Sequence, residues 1–83
     1  MISAAQLRAA RALLGIDQRT LAAMAGVSLP TIQRMETSKG DVRGSIATLT
    51  RIVEALDAAG LELIGNAQSS QGTGRGVRLK TPA

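Results

Sequence analysis

The chain contains no cysteine and no histidine. Disulfides are therefore excluded, as are zinc sites built from thiolate or imidazole. The same gap removes the commonest nucleophile and general base. The six acidic residues are scattered singly, with no pair suggesting acid–base work, so neither catalysis nor a cofactor or metal is expected. Phe, Tyr and Trp are also missing. Readers of RNA and single strands stack bases on aromatic rings, and this chain has none to offer. No apolar run approaches the ~18 residues of a membrane span, and no basic stretch precedes a hydrophobic one near the N-terminus. The expectation is a soluble, unprocessed, cytoplasmic protein with no membrane association.

What is present is small and basic. Eighty-three residues suit one compact unit near the lower limit for folding without staples. Ten Lys and Arg against six Asp and Glu give a net charge of +4 and a sequence pI near 11.2. That balance favours a polyanion, and with aromatic stacking excluded, duplex DNA is the better candidate.

The spacing of apolar residues predicts four helices. Ser3 and Gln6 stand in capping-box relation, and Leu7, Ala10, Leu13 and Leu14 recur at helical spacing up to a terminating Gly15. Asp17 caps a second helix, about Gln18 to Ala25, which Gly26 closes. Ser28 caps a third, about Leu29 to Thr37, with Pro30 tolerated in its first turn. A polar loop, Thr37 to Gly44, leads to Ser45 and a fourth helix reaching about Ala59, with Ile46, Leu49, Ile52, Val53 and Leu56 on one face. After Gly60 the pattern changes to two short strand candidates, Leu61 to Ile64 and Gly76 to Lys80. They flank a polar, Gly- and Ser-rich stretch, Gly65 to Arg75, which reads as a long mobile hairpin loop. These strands can pack on the helices or pair with those of a second chain, and Glu62 facing Arg78 or Lys80 would set their register. The fold class is mainly α, with a domain over residues 1–60 and a strand-loop-strand tail over 61–83 suited to dimerisation or partner contact.

The segment Gln18 to Arg34 carries the functional signal. Two short helices meet at Ala25-Gly26-Val27, and Leu21, Ala22, Ala25, Val27 and Ile32 can lock one across the other. This is the pattern of a helix-turn-helix, whose second helix enters a DNA major groove. Helical spacing puts Ser28, Leu29, Pro30, Gln33 and Arg34 toward base edges. Arg34 can bond guanine O6 and N7 together. Gln33 can read adenine or hold a phosphate, while Leu29 and Pro30 offer apolar contact to a thymine methyl. Phosphate contact falls to Gln18 and Arg19, to the hydroxyls of Ser28 and Thr31, and to Lys39 and Arg43. Arg8, Arg51, Arg75 and Arg78 read as solvated surface or partner contacts.

The run R-x-x-x-G-I-D-Q-R-T-L-A-x-x-A-G-V-S-x-x-T-I-Q-R-M-E from Arg11 resembles the Cro/C1-type (xenobiotic-response-element, XRE) helix-turn-helix family, over about Gln6 to Leu56. The resemblance implies a lambda-repressor-like fold and a Gln18 that grips a phosphate. It also implies base readers at Leu29, Pro30 and Arg34 with Ser28 and Gln33 beside them, and a buried ion pair between Arg11 and Glu36. Two departures stand out. Leu29 and Pro30 are apolar where the family often has polar residues, which shifts weight to Arg34 and DNA shape. Strands also replace the fifth helix of fuller repressor domains.

These readings converge on a transcriptional regulator, a repressor or controller that binds a palindromic operator as a homodimer. A rival of another class is a protein-interaction module, such as the antitoxin of a toxin pair or an antiactivator, using the tail to hold its partner.

Overall fold

The computed structural model describes residues 2–65 and 74–81. Most of the segment expected to form a mobile hairpin loop, residues 66–73, lies outside them. Four helices come first, α1 (Ala4–Leu14), α2 (Gln18–Ala25), α3 (Leu29–Glu36) and α4 (Ile46–Ala58), followed by strands β1 (Leu61–Ile64) and β2 (Gly76–Leu79). The mainly helical fold class and its C-terminal two-stranded element match the reading of the sequence.

Each helix starts where a short polar side chain can hold a free backbone N–H. Ser3, Asp17, Ser28 and Ser45 accept from the amides of Gln6, Thr20, Thr31 and Thr48, satisfying donors that have no intrahelical partner. At Ser3 the capping box is complete. Gly26 ends α2 with φ of 69°, a left-handed conformation that costs a glycine little and most other residues more. Its amide donates to Ala23, and that of Val27 donates to Ala22, so the chain reverses tightly enough to lay α3 across α2. Leu21, Ala22, Ala25 and Ile32 are buried at that crossing, with Val27 packed against them.

The core is aliphatic and joins all the elements. Leu7 and Ala10 from α1, Leu21 from α2, Ile32 and Met35 from α3, Ile52 and Leu56 from α4 and Leu61 from β1 are all buried. Two expected members of the apolar faces are not. Leu13 is 45% exposed and Ile46 78% exposed. Ile46 has the right helical phase, but it is the first residue of α4 and lies at the surface, while Leu49 one turn on packs against the core. Two residues with no periodic signal replace them. Ile2 and Val42 are buried, joined where Val42 donates its amide to the Ile2 carbonyl at 2.9 Å. The amide of Ala4 donates to Gly40 beside an isolated bridge between Ser3 and Asp41. The 37–44 loop is thus stitched to the N-terminus.

The strands pair within the chain, antiparallel, with Leu61 opposite Leu79, Glu62 opposite Arg78 and Leu63 opposite Val77. Of the two cations expected to face Glu62, it is Arg78 that does so, at 2.7 Å. Lys80 pairs instead with Asp57 of α4. Leu63, Val77 and Leu79 pack on the core. Gln6 anchors the hairpin to α1. Its buried side-chain amide donates to the carbonyls of Ile64 and Gly76, each at 3.0 Å, while its oxygen accepts from Ser3. Every polar atom of that buried side chain therefore has a partner, as burial requires.

Candidate nucleic-acid interface

Helix α3 has two faces of opposite character. Ile32, Met35 and Glu36 point into the protein, whereas Pro30, Gln33 and Arg34 are exposed and Leu29 is half-buried. The expected base readers therefore share the outward face, with Ser28 exposed at its N-terminal end. The Ser28 and Thr31 hydroxyls lie 2.7 Å apart, and Ser28 Oγ accepts the Thr31 amide. One hydroxyl proton closes that pair, and the other remains able to donate to a phosphate oxygen.

The cations divide into two groups. Arg11, Arg75, Arg78 and Lys80 form ion pairs with Glu36, Asp41, Glu62 and Asp57. Arg8 donates to the main-chain carbonyl of Glu36, closing the C-terminal turn of α3. Arg8, Arg75 and Arg78 are exposed, as the sequence reading expected, and each also has a partner within the chain. Among the described residues no ion pair forms at Arg19, Arg34, Lys39, Arg43 or Arg51. The first four of these are the basic residues that the sequence assigns to DNA, and all four are exposed.

Behind the exposed face, α1, α2 and α3 are tied at one carboxylate. Glu36 is 5% exposed. Arg11 grips it with both arms of its fork, Nε to Oε2 at 2.6 Å and Nη2 to Oε1 at 2.8 Å. Gln18 Nε2 adds a third donor to Oε1 at 3.0 Å, and Arg11 Nη1 also reaches the Ile16 carbonyl. Sequence reasoning missed the Gln18–Glu36 contact. Gln18, half-buried, has one amide N–H committed inward and so is not the freely solvated phosphate ligand that its helix-start position suggests.

Burial pushes the Glu36 carboxyl up, but hydrogen bonds from Arg11 and Gln18 and the charges of Arg11 and Arg8 outweigh it, leaving the group below the usual glutamate value. The hydrogen bond to Glu36 raises Arg11 against the opposing effect of burial. Asp17 is lowered by the Thr20 amide that it caps, and Asp41 by its hydrogen bond from Arg75. A carboxylate lowered in the folded state contributes stability above its unfolded value, and that contribution is lost as pH falls through the folded value. The melting temperature is therefore expected to hold from neutrality down to the ordinary carboxylate range, about pH 4, and to fall below it. Melts of the wild type and Glu36→Gln across that range check this. The variant should show the shallower acid slope, and parallel curves would remove Glu36 as the main source.

Among the described residues no group of three or more His, Cys, Asp or Glu could hold a metal, and no helix is long and apolar enough to cross a membrane. No curated protein matches the chain. A helix-turn-helix family model matches residues 7–63, a span that runs from α1 through the crossed pair and the Arg11–Glu36 tie to β1. By that match the chain belongs to the Cro/C1-type helix-turn-helix (XRE) family of DNA-binding regulators.

Proposed function

We propose that the protein is a sequence-specific transcriptional regulator of double-stranded DNA, a repressor or controller that binds a palindromic operator as a homodimer in the cytoplasm. The observation that supports this reading best is the division of the cations. Arg8, Arg11, Arg75 and Arg78 are paired or hydrogen-bonded within the chain, whereas Arg34 on the outer face of α3 and Arg19, Lys39 and Arg43 have no ion pair among the described residues. An unpaired cation is the form of charge a DNA phosphate or a guanine edge can use. Ser28, Leu29, Pro30, Gln33 and Arg34 are the proposed base readers. Gln18, Arg19, Thr31, Lys39 and Arg43 are the proposed phosphate ligands. Dimerisation follows from size. One module buries little DNA surface and rarely gives specific affinity alone, and a two-fold dimer doubles the contact. The tail over residues 61–83 is the proposed contact for the second copy.

Fluorescence anisotropy tests this, on duplex DNA from upstream of the gene against a scrambled duplex at about 150 mM salt. The expected result is a preference of ~10³-fold or more, two chains per duplex, and a log–log salt slope near −2.7 per subunit from the three phosphate-neutralising cations Arg19, Lys39 and Arg43. Weak and equal binding to both duplexes would count against operator recognition and turn attention to the rival role of gripping a protein such as a toxin. The tail that would hold such a partner includes residues 66–73, outside those described.

A further inference from the structure

We propose that Glu36 is a positioning residue for DNA binding: by accepting one N–H of the Gln18 side chain, it fixes the amide so that Gln18 presents a second N–H, and not its carbonyl oxygen, to a DNA phosphate. This rests on the DNA-binding reading above.

A glutamine amide has two ends of opposite use. Its oxygen only accepts and its nitrogen donates twice. A phosphate oxygen only accepts, so Gln18 helps binding in one orientation and opposes it in the other. On an open surface the two orientations differ little. Here the choice is made from inside the protein. An ionised carboxylate also only accepts, so at 3.0 Å from Glu36 Oε1 the end of Gln18 facing it must be the nitrogen. The second N–H of that nitrogen diverges from the first within the amide plane and is left for an outside acceptor.

The carboxylate that makes the choice is itself held firmly. Arg11 fixes both its oxygens, Arg8 holds its main-chain carbonyl, and the side chain is nearly closed to solvent. Gln18 is the first residue of α2, the helix that crosses the DNA backbone in a helix-turn-helix. A residue that touches no DNA, at the far end of the recognition helix, thereby sets the direction of a phosphate contact made by another helix.

The test uses the whole chain, labelled with nitrogen-15, and the same upstream duplex. In the free protein the two Gln18 Nε2 protons are expected to be widely split, one shifted by Glu36. In Glu36→Gln the splitting should collapse to that of an ordinary side-chain amide. On addition of duplex, the second Gln18 proton of the wild type should move while the Glu36-bound one keeps its place. Measured well below the melting temperature, Gln18→Ala is expected to weaken binding about tenfold per subunit, the worth of one hydrogen bond to a charged group. Glu36→Gln should cost nearly as much, and the double variant no more than Gln18→Ala alone. A purely structural Glu36 would instead give losses that multiply in the double variant. That result, or unchanged binding by a folded Glu36→Gln, overturns the positioning role. If Glu36→Gln does not fold, the wild-type spectrum decides, since an ordinary Gln18 amide in the free protein overturns it too. A wild type that binds no duplex overturns the DNA-binding reading itself, and the amide splitting of the free protein tells that failure apart.

Discussion

Replacing Glu36 with alanine is expected to destabilise the protein by about 3–5 kcal/mol, because it strands a charge that has lost most of its water. Arg11 is only 22% exposed on its side chain, and its Nε and Nη2 both end on Glu36. Without the carboxylate these donors and Gln18 Nε2 lose their acceptor together, and desolvation that the pair had offset becomes a net cost. For a domain of this size each kcal/mol shifts the melting temperature by about 4–8 °C. Glu36→Ala should therefore melt at least ~12 °C below the wild type, a drop that thermal unfolding followed by circular dichroism would show. The sharper version removes both charges. Arg11→Met combined with Glu36→Leu fills similar volume without stranding a charge, leaving only the half-buried Gln18 amide and the Ile16 carbonyl to find water, and should recover most of the loss. A single variant that melts with the wild type would mean that water reaches Arg11 and the tie is not energetically buried. The loss of stability should exceed the roughly tenfold change in affinity per subunit expected from disturbing Gln18, since the first removes a buried charge pair and the second one hydrogen bond.

Local features were the legible ones. Ser3, Asp17, Ser28 and Ser45 each sit immediately before a segment of helical pattern, and each caps the helix expected there. Capping is a short-range event, governed by residues three apart, so single-sequence reasoning reaches it. The same applies to the outer face of α3, where a period of 3.6 residues suffices to separate Gln33 and Arg34 from Ile32 and Met35. Charge narrowed the strand register to Glu62 meeting Arg78 or Lys80, and packing settles it on Arg78.

Contacts between distant segments were not legible. Val42 is one apolar residue in a polar loop, and Ile2 stands at the chain's start, so neither has a periodic neighbourhood to identify it. They are core residues because two remote backbones meet there. Gln6 could be read as half of a capping box, but not as the residue that holds the hairpin's Ile64 and Gly76 carbonyls, which lie far along the chain. Gln18 and Glu36 belong to the same class. Each had a sensible separate role, as phosphate ligand and as partner of Arg11, and only the packing of α2 against α3 joins them. Helical phase alone misplaced Ile46, because phase describes which way a side chain points and not whether the core extends that far.

Replacing Arg34 with alanine should relax operator choice while leaving the fold intact. The side chain is exposed and forms no ion pair among the described residues. The structural contribution of this residue is its main-chain carbonyl, which accepts from the Thr37 amide and hydroxyl at the end of α3, and alanine retains it. Leu29 and Pro30 can make only apolar contacts with a base, so Arg34 and Gln33 are left as the long polar side chains on that face. A two-armed contact to guanine is worth about 1–3 kcal/mol of discrimination, so the wild type should penalise substitution of the base pair that Arg34 reads in one half-site by roughly 5- to 150-fold. In Arg34→Ala that penalty should vanish at that position and persist elsewhere. Binding to a set of single-substitution operators checks this, and the salt dependence separates the two roles an arginine can have. If Arg34 holds a phosphate instead, the variant will bind every duplex more weakly by the same factor and its log–log slope will fall by about 0.9. An unchanged pattern of base preference with a reduced slope would move Arg34 from the readers to the phosphate ligands. Specificity would then rest on Gln33, apolar contacts and DNA shape.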